Sequence, residues 1–281
     1  MKFQDLGTAA AEGIPALFCA CDICREARKR GGKDLRLRSG AIVNDKLLID
    51  LNPDLYAATL KLGLDFSGVR NAIITHAHSD HFARELMGCF TPTCAHIAKE
   101  GEHFHLWGSA YTAGAWKEYT STIQMKEPEL EKYVVFHVLK PFEAVEIEGV
   151  KVTSLKARHS CPESLIYVLQ QGDARLFYGN DTGPLDPETW AWLEADQGQP
   201  FTTVSLDSTM GYPENHYYGH MSLKENIETK ERMIAIGAAD ENTRFICHHF
   251  SHNALALYRE TEEYMKPHGF QIAYDGLTFE A

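Results

Sequence analysis

Two short stretches of this sequence concentrate side chains that bind metal ions. The first is Thr75-His76-Ala77-His78-Ser79-Asp80-His81, which sets three imidazoles and a carboxylate within six residues, directly after the apolar run Asn71-Ala72-Ile73-Ile74. Imidazole and carboxylate donors suit Zn, Mn or Fe. Alternate positions on an extended turn aim His76 and His78 at one ion. Asp80 and His81 then face elsewhere, toward a second ion nearby. A solvated polar loop is the competing account, but it fits a lone histidine better than three with an aspartate at a strand end. The second stretch is Cys19-Ala20-Cys21-Asp22-Ile23-Cys24. Its three thiolates fall one short of the four ligands of a structural zinc. Cys89, Cys94, Cys161 and Cys247 stand singly and read as incidental thiols. A histidine is therefore the expected fourth ligand, with His252 the candidate. A redox role fits poorly, because the spacing is wrong and no thioredoxin-like βαβ pattern surrounds the cluster.

The elements that must hold these groups show as apolar runs between turn residues. Phe3 to Thr8 reads as a strand entering a small-residue loop, and Ala41–Val43 with Leu47–Asp50 as a hairpin of buried strands. Pro53 to Leu62 predicts a helix with Asn52 as cap and Gly63 as stop. Asn71 to Thr75 is the strand that delivers the His-rich turn. From about 98 to 132 the chain reads as helical or irregular, broken by Gly101, Gly108 and Gly114. Strands are expected at Val134–Val138, Ala144–Leu155, Leu165–Gln170, Arg175–Tyr178, Thr202–Leu206 and Arg244–Cys247. Helices are expected at Asp186–Glu194, Ser222–Ile236 and Asn253–Tyr264, and a closing hairpin at Gln271–Phe279. Strands in runs, with helices between the later ones, favour two packed sheets with helices outside over a doubly wound parallel sheet. There is no repeat, low-complexity tract or linker, so residues 1–281 read as one domain.

Composition bounds the rest. A chain of 281 residues, 44% hydrophobic and 23% charged, has the balance of an ordinary globular protein and can bury a core without disulfides. The formal net charge of −12 argues against a dedicated nucleic-acid binder. It leaves room for a small anionic substrate, because a metal site supplies positive charge locally. No apolar run is long enough to span a membrane, and the N-terminus lacks the apolar core of a secretory signal. The expectation is a cytoplasmic protein with reduced thiols. A homodimer stays open.

The His-rich turn resembles the H-x-H-x-D-H signature of the metallo-β-lactamase superfamily. The resemblance implies an α/β (α+β) fold, a four-layer αββα sandwich, with later ligands arriving singly from strand ends. This sequence offers His159 in Ala157-Arg158-His159-Ser160, Asp181 in Gly179-Asn180-Asp181-Thr182, and His249 after Phe245-Ile246-Cys247. It implies His76, His78 and His159 on one ion and Asp80, His81 and His249 on the other. Asp181 spans both, since a carboxylate has two oxygens and neutral imidazole cannot bridge. His248 is the alternative to His249. Cys19-x-Cys21-x-x-Cys24, with His249-Phe250-Ser251-His252 downstream, is similar to the PhnP-type branch, where a terminal H-x-x-H closes the cysteine site. Against that branch, the segment around 98–132 looks like a helical insertion, and Tyr212 to His220 like a loop particular to this chain.

The resemblance implies a hydrolase with two divalent transition ions, Zn or Mn or Fe, and one structural Zn. Two such ions lower the pKa of a shared water toward ~7, so that hydroxide attacks at neutral pH. A small or cyclic phosphodiester is the expected substrate. Within enzymes the competing reading is a lactone or thioester hydrolase; outside them, a non-catalytic cofactor-pathway protein like the pyrroloquinoline quinone branch. His220, in Gly219-His220-Met221-Ser222, is the candidate proton donor to the leaving group. Asp50 and Asp207 are candidates to orient ligand imidazoles.

Overall fold

The computed structural model describes residues 1–96, 101–123, 130–196, 198–212, 218–254 and 257–281. Two mixed seven-stranded sheets pack face to face. The first contains β1 (Lys2–Gly7), β2 (Gly40–Val43), β3 (Leu47–Ile49), β4 (Asn71–Ile73), β5 (Phe104–Gly108) and β6 (Val134–Val138), in that order, with the last strand of the chain outside β1. The second runs from β7 (Ala144–Ile147) through β8 (Val150–Lys156), β9 (Leu165–Gln171), β10 (Ala174–Gly179), β11 (Thr203–Asp207) and β12 (Arg244–His248) to β13 (Phe270–Ile272). The last strand is β14 (Thr278–Glu280). In each sheet an antiparallel part gives way to parallel strands, β3 to β6 in one and β10 to β13 in the other.

The two-residue period of a strand explains the layers. Leu47 and Ile49 of β3 meet Leu176 and Tyr178 of β10 in the core between the sheets. Leu48 faces the other way, toward Leu55 and Ala58 of α2 (Leu55–Leu62) and Trp116 of α3 (Ala110–Ile123). Phe177 faces the opposite outer layer. That layer is built from α1 (Asp22–Arg30), α4 (Pro187–Ala195), α5 (Leu223–Ala235) and α6 (Tyr258–Met265), through Ala27, Trp190, Met233 and Met265. The result is the expected αββα sandwich.

Several local expectations are corrected. The segment from about 98 contains β5, paired in parallel with both β4 and β6. Phe104 and Leu106 are buried while His105 and Trp107 are half-buried, and this alternation marks a strand despite the polar residues. Residues 97–100 and 124–129 of that segment, and 213–217 of the Tyr212–His220 loop, lie outside the described residues. Ala144–Leu155 is a hairpin, β7 and β8, turning at Glu148-Gly149 with φ of 52° and 72°. The closing hairpin does not form: β13 joins the second sheet and β14 the first. Asn52 sits ahead of α2, where its Oδ1 accepts from the Asp54 N–H at 2.8 Å. Helix α1 begins within the cysteine cluster, with Cys21 as its cap and Cys24 in its first turn, and α6 begins at Tyr258, five residues later than Asn253.

The loop after β10 is fixed against the segment before α5. A Cβ on Gly183 would stand 2.1 Å from the Tyr218 carbonyl oxygen, and the Gly183 N–H donates to the Arg158 carbonyl at 2.8 Å. Gly183→Ala should force backbone apart at this junction. Denaturant unfolding should then show a loss of about 1–3 kcal/mol, the usual range for overpacking. An unchanged midpoint would mean that the two loops separate freely.

Candidate metal-dependent active site

The site forms where several strands end on one edge of the sandwich. Thr75 to His81 follows β4, His159 follows β8, Asp181 follows β10, Asp207 ends β11 and His249 follows β12. Strand ends suit this task, because side chains leaving adjacent strands converge while the sheets keep the backbone fixed. His76, His78 and His159 form one group. His78 Nδ1 lies 3.0 Å from His76 Nε2 and 3.2 Å from His159 Nε2. Asp80, His81, Asp181 and His249 form a second. The Asp181 carboxylate lies between them. Its Oδ2 is 3.1 Å from His81 Nε2 and 3.9 Å from His76 Nε2, and its Oδ1 is 3.0 Å from His249 Nε2.

The donor set fits metal ions. His81 Nε2, His249 Nε2 and Asp181 Oδ1 are buried and close together, yet none has a partner in hydrogen-bonding geometry. Buried polar atoms normally find one. Atoms about 3 Å apart that do not bond one another are arranged as ligands converging on a common point. The charges agree. Burial opposes charge on His81, but the Asp181, Asp80 and Asp50 carboxylates raise its pKa well above the ordinary range. Burial, then the charge of His81, holds His76 well below it, in the neutral form that a ligand needs. Asp181 is likewise lowered far below its usual value, His249 and His81 overcoming its burial.

Outer contacts fix the rings. His81 Nδ1 donates to Asp50 Oδ2 at 2.7 Å, and Asp50 Oδ1 accepts from the Thr75 N–H at 2.7 Å. His159 Nδ1 donates to the Gly219 carbonyl at 2.9 Å. His249 Nδ1 lies 2.7 Å from Thr209 Oγ1. Asp50 and His249 both hold left-handed backbone, with φ of 66° and 59°, a conformation that non-glycine residues keep where surroundings enforce it. Asp207 holds His220: its Oδ2 accepts from His220 Nδ1 at 2.7 Å. Burial lowers the His220 pKa, but this carboxylate outweighs burial and lifts it to about 9. His248 turns away from the cluster and places Nε2 3.1 Å from Asp5 Oδ1.

The cysteine cluster assembles with its histidine. His252 Nδ1 lies 3.5 Å from Cys21 Sγ and 3.7 Å from Cys19 Sγ, with Cys24 in the same group. Cys21 caps α1, and the Cys24 N–H donated to its sulfur at 3.4 Å lowers the thiol to about 6. Burial raises the Cys24 thiol to about 11. Thr75, Thr209 and the Gly219 carbonyl were not legible in advance. Single hydroxyls and backbone oxygens carry no spacing signal.

An αββα sandwich with this His/Asp cluster on its edge defines the metallo-β-lactamase class of hydrolases, whose fold carries divalent ions. Residues 45–250 match the family model described as beta-lactamase superfamily domain, and the chain belongs to that superfamily. The crystal structure titled as a new diphosphatase from the PhnP family is 23% identical with a TM-score of 0.73, covering 100% of this chain and 97% of that one. Zn-bound PqqB from Methylobacterium extorquens is 17% identical with a TM-score of 0.77 and full coverage of both chains, 100% each. A curated octanoyltransferase of Porphyromonas gingivalis (strain ATCC BAA-308 / W83) is 30% identical over 80 residues, which are 27% of this chain and 15% of that protein. Among the described residues no helix is long and apolar enough to cross a membrane.

Metal analysis separates the adjacent histidines and the two centres. His249→Gln should lose about one ion per chain. His248→Gln should keep every ion and lose about 1–3 kcal/mol, because the buried Asp5 loses its partner. Loss of an ion in His248→Gln alone would reverse the assignment. Cys21→Ser should lose about one zinc together with stability, since structural zinc binding is coupled to folding. Full zinc content and an unchanged melting temperature would remove the cluster from that role.

Proposed function

We propose that this chain is a phosphodiesterase acting on a small or cyclic phosphodiester. His76, His78 and His159 would hold one divalent ion, Asp80, His81 and His249 a second, with Asp181 between them; Zn, Mn and Fe all suit these donors. Cys19, Cys21, Cys24 and His252 would hold a structural Zn. Bound ions supply Lewis acidity toward water and phosphoryl oxygens.

The observation that carries the reading is the Asp207–His220 pair. Its ring centroid lies 4.9 Å from that of His159 and 5.5 Å from that of His249, so an acid stands beside the ligand cluster. With Nδ1 engaged by Asp207, Nε2 is the nitrogen that delivers a proton. A phosphodiester breaks to release an alkoxide, which needs such a proton, and the position supplies it to the leaving oxygen. The likeness to a diphosphatase of the PhnP family favours phosphorus chemistry over carbonyl chemistry, although the fold itself serves both. The complete donor set supports an enzyme over a non-catalytic relative.

His220→Ala tests this. Metal content should stay that of the wild type. Activity on an alkyl or cyclic phosphodiester should fall on the order of 10²–10⁴-fold, the range for a positioned acid, and far less on a nitrophenyl diester, whose leaving group departs unprotonated. Equal losses on both would make His220 a binding residue, and loss of an ion would make it a ligand. Turnover of lactones above all phosphodiesters would replace the reading with the carbonyl one.

A further inference from the structure

The cleft over the His/Asp cluster has a volume of about 420 Å³. It is lined by the ligand cluster and His220, and also by Glu12, Ser251 and Asn253. Among the described residues no lysine or arginine lines it. Proteins that bind a second phosphate, a pyrophosphate or a nucleic-acid backbone place basic side chains there, with arginine favoured for its bidentate geometry. Among the described residues, the only ionic group that lines it outside the ligand cluster and His220 is a carboxylate.

Glu12 is held in place. Ser251 Oγ donates to its Oε1, and His252 Nε2 stands 3.8 Å from the same oxygen. Its Oε2 has no hydrogen-bond partner among the described residues, and neither has the Asn253 side-chain amide. Glu12 is half-buried, so its charge acts across a partly solvated cleft and still repels a nearby anion. An acceptor fixed on one side and open on the other selects for hydrogen-bond donors.

Resting on the phosphodiesterase reading, we infer that Glu12 sets the substrate class: a phosphodiester whose alcohol carries hydroxyl or ammonium donors and no further anionic group. The phosphodiester monoanion lies at the ligand cluster, and the alcohol extends toward Glu12 and Asn253. Nucleotide polyphosphates and polynucleotides are disfavoured by the same carboxylate.

Three methyl phosphodiesters test this on the metal-loaded protein: those of glycerol, of ethanolamine, and of glycerol bearing a terminal phosphate. Turnover and calorimetric binding are both measured, with metal content checked for each variant. Wild type should prefer the first two over the third on the order of tenfold or more. Glu12→Gln keeps an acceptor without charge. It should retain the glycerol diester and lose several-fold on ethanolamine if ammonium is the natural donor, or affect both slightly if hydroxyl is. Glu12→Lys should invert the ranking in favour of the terminal phosphate. A wild type that takes the phosphate-bearing diester equally well, or a ranking that neither variant moves, overturns the inference. If none of the diesters turns over but calorimetry gives the ranking, the catalytic reading falls while the charge selection stands. Turnover without the ranking gives the reverse.

Discussion

A carboxylate taken out of water must be matched by positive charge or by donors. Asp181, only 3% exposed, meets this with imidazoles on three sides: His76 and His81 from the turn after β4 and His249 from the end of β12. The turn comes from the first sheet and the other two residues from the second. The charge balance at one carboxylate therefore ties the two halves of the sandwich together at their edge. The imidazoles share its field but do not bond it in hydrogen-bonding geometry, and this is the arrangement that divalent ions complete.

Everything around Asp181 restricts motion. Asp50 acts at once on the backbone N–H of Thr75 and the ring of His81, so the start and end of the His-rich turn hang on one buried carboxylate. Asp207 does the same on the other side. Besides His220 it accepts from the N–H groups of Thr209, at 2.9 Å, and Met221, at 3.3 Å. Fixing a ring through its second nitrogen sets which nitrogen faces the site, and it limits the reorganisation needed when a ligand arrives. The left-handed backbone at Asp50 and His249 is the conformational cost of aiming both side chains inward.

The two candidate metal centres are neighbours through a single turn. His249 faces the cleft, and His252 faces the cysteines on the start of α1. Between them Ser251 bonds Glu12, which lines the cleft and stands beside His252. The cysteine centre thus supports one wall of the cleft as well as the N-terminal segment. A change there reaches the substrate side through covalently adjacent residues.

The sequence by itself determined the features in which chemistry is local. Donors two residues apart after an apolar strand announce the His-rich turn, and Cys19, Cys21 and Cys24 announce the thiolate set, because spacing alone decides which donors can share an ion. The αββα class was legible from the ordering of apolar runs and from the resemblance they carry, and His159, Asp181 and His249 from that resemblance and their strand-end positions. The tertiary structure decided what depends on partners far away in the chain. His248 and His249 have the same chemistry and adjacent positions; the spacing to His252 favours His249, and the fold separates the two by packing His248 against Asp5, 243 positions away, and His249 against Asp181. β5 reads as irregular until β4 and β6 offer their edges to its backbone, since a strand's stability lies in its neighbours. β13 and β14 look like a hairpin because their apolar pattern is local, whereas the sheet each one joins is set by the edges left open at β12 and β1. Glu12 carried no signal at all, because a lone glutamate in a loop acquires a role only when folding brings Ser251, His252 and the cleft around it.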